Sequence, residues 1–224
     1  MIVGEVKPIP EILAKVEGAS SVLVAGCGGC VTVCHTGGLK EAETVARLLQ
    51  LALSQQGVAV RWTSVSRQCE YELLEQLQVE AEGMDTVVSL ACGIGVQAAA
   101  EVLPRCRVMP GLNTTFLGMP EAPGDFRERC QACGDCILDL TAGICPVARC
   151  SKSLLNGPCG GSQGGRCEIS PDVPCAWQLI YDRLAERGML DTMARLVPPK
   201  DWSRSRDGGP RRMKREDLML DGEE

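Results

Sequence analysis

Aromatic side chains make up only 3% of the 224 residues, and histidine occurs once, at His35. The first shortage leaves a core to be built from Leu, Val and Ala. The second excludes a Rieske centre, which takes two histidines, and the His-rich kinds of catalytic zinc site. Long apolar runs are missing too: none approaches the roughly 20 residues that span a bilayer. The opening Met1-Ile2-Val3-Gly4-Glu5-Val6-Lys7-Pro8 lacks the basic stretch, long apolar segment and cleavage site of a secretory signal. Positive charge is in deficit, with a net charge of -6 and no Lys/Arg stripe interleaved with aromatics, which speaks against a nucleic-acid partner. Together these absences predict a cytoplasmic protein with no membrane span.

What the sequence has in excess is cysteine, fourteen in all. Such a count means disulfides in an oxidising compartment and metal in a reducing one, so the cytoplasmic expectation selects metal.

The first half alternates apolar strands with helical periodicity. Strands are expected at 20–25, 58–63, 86–91 and near 107–109, with helices at 39–55, 70–79 and 96–103. That alternation predicts an α/β fold in which a small Rossmann-like parallel sheet occupies residues 1–118. From about Pro120 glycine and proline rise, and eight cysteines fall within 130–175. With little apolar material there, residues 119–196 are expected to fold as a cysteine-rich, metal-organised domain ending in an amphipathic helix at 174–189. Residues 197–224 read as a polar tail, either disordered or a partner-binding arm anchored by Trp202, Met213, Leu218, Met219 and Leu220.

The strongest motif is Cys130-x2-Cys133-x2-Cys136 with a later Cys145-Pro146. Two-residue gaps let successive thiolates reach corners of one cubane, as in bacterial ferredoxins, although the gap before Cys-Pro here is eight residues instead of three. The fourth ligand is therefore open. Cys150, Cys159, Cys167 and Cys175 supply enough further thiolates for a second site, and four thiolates also suit tetrahedral zinc. In the first half, Cys27, Cys30 and Cys34 follow the first of the four strands, Cys69 the second and Cys92 the third. Parallel sheets bind ligands beyond their carboxyl ends, so four of these five are expected to hold another centre. Cys106 falls outside both sets and reads as a buried structural thiol. Gly26-Cys27-Gly28-Gly29 lacks the G-x-G-x-x-G spacing, and the next strand ends without a ribose-binding acid, so no nicotinamide site is expected. His35 reads as a loop residue.

The run from Cys145-Pro146-Val147-Ala148-Arg149-Cys150 to Asn156-Gly157-Pro158-Cys159-Gly160-Gly161, with Cys167-Glu168 and Pro174-Cys175-Ala176-Trp177, resembles the cysteine-rich C-terminal domain of methylenetetrahydrofolate reductases. Ala25 to Cys30, Ala91 to Gln97 and Leu112 to Gly118 are similar as well. The resemblance is to the small iron-sulfur partner subunit of the acetogen-type enzyme. It implies two or three 4Fe-4S clusters, with zinc as the alternative at one site. It also implies a flavin-bearing reductase subunit as partner, further redox subunits, and electron transfer without independent catalysis. The competing expectation is a zinc-stabilised scaffold that assembles the same complex.

Overall fold

The computed structural model describes residues 1–213, 215 and 217. The chain divides into two compact units, Met1–Glu128 and Arg129–Glu224.

In the first unit, β1 (Ile2–Val6) and α1 (Ile9–Lys15) precede β2 (Ser21–Cys27), α2 (Cys30–Val33) and α3 (Leu39–Ala52). Then come β3 (Ala59–Val65), α4 (Tyr71–Glu80), β4 (Thr86–Ser89), α5 (Gly93–Val102) and β5 (Arg107–Pro110). Strands β3, β2, β4 and β5 lie side by side in that order, all parallel. Every residue of β2 is buried, as suits a central strand covered on both faces. Its alternate side chains serve two cores. Val22 and Val24 pack with Ile12, Val45 and Leu49 of α1 and α3, while Leu23 and Ala25 pack with Leu74, Leu77 and Ala99 of α4 and α5. Burying one such leucine contributes about 1.5–3 kcal/mol. The sheet is thus a parallel α/β sandwich, as the alternating pattern predicts.

A second sheet was not legible in the sequence. β6 (Leu112–Ala122) pairs with β1, running antiparallel from Val6↔Leu112 to Ile2↔Leu117, and with β7 (Asp125–Cys130) on its other edge. Gly124, at φ +79, makes the turn between β6 and β7.

The second unit holds α6 (Pro146–Arg149), a small ladder of β8 (Arg166–Cys167) with β9 (Ser170–Pro174), and α7 (Ala176–Glu186). Here the expectation of too little apolar material is corrected. Ala142 and Ile144 pack against Trp177, Ile180 and Leu184 of α7. The Trp177 indole donates to the Leu154 carbonyl at 3.0 Å, and Arg183 donates to the Ala142 carbonyl at 3.3 Å. A few apolar residues spread over forty positions assemble one small core because α7 presents them on a single face.

Candidate metal centres

The topology places cysteines where a parallel sheet binds its ligands. From β2 the chain moves outward to β3, then crosses back to β4 on the other side of β2, which makes the carboxyl ends of β2 and β4 the switch point. Cys27 ends β2, Cys69 follows β3, and Cys92 caps the start of α5 just after β4. The Cys69 thiol reaches solvent, yet partial desolvation pushes its pKa up, and the charges of Cys27 and, less strongly, Cys92 push the same way. All three cysteines stand at or just beyond the carboxyl ends of adjacent strands. Cys30 opens α2 immediately beside them in sequence, and the approach is tight: a Cβ on Gly28 would stand 3.1 Å from the Ser66 carbonyl. Thiolates placed at such strand ends are suited to a cation, whose charge favours their ionised form.

Beneath these loops lies a residue that sequence reasoning missed. Gln68 is fully buried, and its amide donates to the Ala25 carbonyl at 2.9 Å and to the Gly26 carbonyl at 3.0 Å. Its carbonyl accepts from the Ser89 hydroxyl at 2.7 Å, and Ser89 in turn accepts from the Ala91 amide at 3.3 Å. One side chain thereby ties the ends of β2 and β4 to the loop that carries Cys69. The sequence carried no signal for it, since Gln68 stands in the polar run Ser66-Arg67-Gln68-Cys69-Glu70, and only its burial reveals that it needs a full set of partners.

The remaining cysteines of the first unit point elsewhere. The Cys34 thiol is buried, donates to the Ile2 carbonyl of β1 at 3.6 Å, and is pushed up in pKa chiefly by burial. Cys106 precedes β5, at the opposite end of the sheet, where it packs on the second core and donates to the Met84 carbonyl at 3.2 Å. His35 sits at φ +54 in the turn after α2, with its backbone amide bonded to the Thr32 carbonyl.

In the second unit, Cys150, Cys159, Cys167 and Cys175 line one cavity of about 20 Å³, with Lys152, Ser162 and Glu168 on its wall. Lys152 and Glu168 pair with each other. The Ser151 hydroxyl, the Ile169 and Ser170 amides and Lys152 all favour the Cys167 thiolate and lower its pKa. The Ser162 hydroxyl is buried there without a hydrogen-bond partner among the described residues. Four thiols on one cavity are the donor chemistry that a thiophilic metal takes. Cys130 ends β7 and is exposed, as is Cys136, and Cys133 is half-buried; the loop between them has positive φ at Ala132 (+51) and Gly134 (+94). The Ala132 amide donates to the Cys130 sulfur at 3.3 Å, the kind of bond that stabilises a thiolate ligand. Cys145 caps α6. Among the described residues, no three His, Cys, Asp or Glu side chains converge closely enough to hold a metal ion.

All eight cysteines of the second unit fall within one recognisable segment. Residues 109–203 match the family described as methylene-tetrahydrofolate reductase C terminal. The match covers less than half of the chain, and it agrees with the resemblance of the Cys145–Gly161 stretch. Cys27, Cys30, Cys34, Cys69, Cys92 and Cys106 lie outside the matched segment. Neither the curated proteins nor the solved structures contain a match to the chain. Among the described residues no helix is long and apolar enough to cross a membrane.

Proposed function

We propose that this chain is an iron-sulfur electron-transfer subunit of a methylenetetrahydrofolate reductase assembly, working beside a flavin-bearing subunit and further redox partners. What supports the reading is the position of Cys27, Cys69 and Cys92 at or just beyond the carboxyl ends of three adjacent parallel strands. The place where such a sheet usually takes a nucleotide is lined instead by thiols. Cys27, Cys30, Cys69 and Cys92 would form one ligand set, since Cys34 is engaged with β1. Cys130, Cys133 and Cys136, with Cys145 as the sequence-nearest fourth thiol, would form a second, and Cys150, Cys159, Cys167 and Cys175 a third. Held by such thiolates, an iron-sulfur cluster supplies transfer of single electrons, whereas folate reduction needs a pair, so a flavin on the partner must join the two regimes. The family match supports the reductase connection.

A second reading holds for the third set, because four thiols lining one cavity also suit a tetrahedral zinc ion. Anaerobic purification followed by iron, sulfide and zinc analysis tests both readings. About eight irons and one zinc per chain, with broad visible absorption bleached by dithionite, is the expected result. A colourless protein containing only zinc would reject electron transfer in favour of the scaffold role.

A further inference from the structure

Residues 200–211 fold back onto the Cys130–Cys136 loop. Two single-turn 3-10 helices, Trp202–Arg204 and Arg206–Gly208, are each capped by their own side chains. The Asp201 carboxylate accepts from the Ser203 amide at 2.9 Å, and the Ser205 hydroxyl accepts from the Asp207 amide at 3.0 Å. Ser205 is buried although its neighbours are exposed. Three cations leave this strap for the loop. Lys200 donates to the Asp135 carbonyl at 2.7 Å, Arg211 donates to the Ala132 carbonyl at 2.7 Å, and Arg204 faces the Asp135 carboxylate at 3.7 Å. Ala132 lies between Cys130 and Cys133, and Asp135 between Cys133 and Cys136, so each gap of the motif is held by a cation. Gly134 completes the fit from the loop side, because a Cβ there would stand 2.5 Å from the Arg204 carbonyl and 2.7 Å from its Cβ.

We propose that the strap is part of the metal site formed by Cys130, Cys133 and Cys136, with Lys200, Arg204 and Arg211 as positioning residues. They fix the two inter-cysteine turns and set positive charge beside a cluster of thiolates. This rests on the reading that those cysteines hold metal. Thiolate ligation accumulates negative charge, and a cation held nearby both strengthens retention of the site and favours the reduced, more negative state. The loop alone is exposed and needs two left-handed residues, so without the strap its turns have little to hold them. Lys200 lies within the matched residues 109–203, and Arg204 and Arg211 lie beyond them, so the match covers only the start of the strap.

The test uses the full chain, purified anaerobically, and the variant K200Q/R204Q/R211Q. Metal per chain, the rate of metal loss to EDTA and the midpoint potentials of any iron centres are measured for both. The variant should lose metal from one site about 10–100-fold faster, the usual effect of removing groups that orient ligands. If that site holds iron, its potential should fall. The charge-preserving variant R204K/R211K should behave as the unsubstituted chain, which a purely steric role for the arginines would not produce. A chain cut after residue 199 should reproduce the triple variant without introducing new side chains. Unchanged retention and unchanged potentials in the triple variant would overturn the proposal while leaving metal binding intact. An unsubstituted chain that contains no metal would overturn both, so the two failures are distinguishable.

Discussion

Cysteine side chains in this protein have different fates according to what surrounds each sulfur. The Cys34 and Cys106 thiols donate to main-chain carbonyls, whereas Cys27, Cys69 and Cys92 stand at or just beyond the carboxyl ends of β2, β3 and β4. Cys92→Ser and Cys30→Ser are expected to remove about one centre's worth of metal per chain, and Cys34→Ser and Cys106→Ser none. Elemental analysis of the four variants decides it, and metal loss confined to Cys34→Ser would redraw the ligand set. Gln68 supports the same place without a sulfur. In Gln68→Leu the Gly26 carbonyl loses a buried partner, as does the Ser89 hydroxyl donor, while the Ala25 carbonyl keeps only the Leu90 amide. An unsatisfied buried group costs about 1–3 kcal/mol, so urea unfolding should show a loss of at least that size. A stability within about 0.5 kcal/mol of the parent would show that the network contributes little.

At the level of elements, the sheet is pinned at both ends by polar side chains. At the amino end, Asp85 before β4 accepts from the Ser20 amide and hydroxyl, both at 2.7 Å, just before β2. Burial alone would raise the Asp85 carboxyl, but the Ser20 hydrogen bonds outweigh it and hold the pKa below the ordinary aspartate value. A depressed folded-state pKa means stability that is fully present above the unfolded value and lost as pH falls through the folded one. Stability should therefore decline with acid below the ordinary aspartate range, and Asp85→Asn should flatten that decline. Unfolding midpoints recorded from neutral pH downward check this. Equal slopes for the two proteins would remove Asp85 from the account.

For the molecule as a whole, the proposed role separates electron relay from chemistry on the folate. Assayed alone, the chain should not reduce methylenetetrahydrofolate, because single-electron centres need a flavin to deliver a pair. Reduction should appear when a flavin-bearing reductase subunit is added, and turnover by the isolated chain would reject the division of labour. The apolar tail anchors Leu218, Met219 and Leu220 expected from the sequence lie outside the described residues. Trp202, expected as another anchor, stacks beneath Lys200 at 5.7 Å from its ring centre, within the strap itself.

The sequence by itself determined the parallel sheet, its helices and the strand-end cysteines, because buried parallel strands and amphipathic helices write their periodicity into contiguous residues. It also marked Cys130-x2-Cys133-x2-Cys136, a signal carried by local spacing. Only the tertiary structure paired β1 with β6, more than a hundred residues apart, and gathered Ala142, Ile144 and Trp177 into a core. It alone bonded the Cys34 thiol to β1, placed Gln68 at the strand ends, and laid Lys200 and Arg211 across the cysteine loop. Each of those depends on a contact between distant segments, and such contacts leave no period in the chain that a local reading can detect.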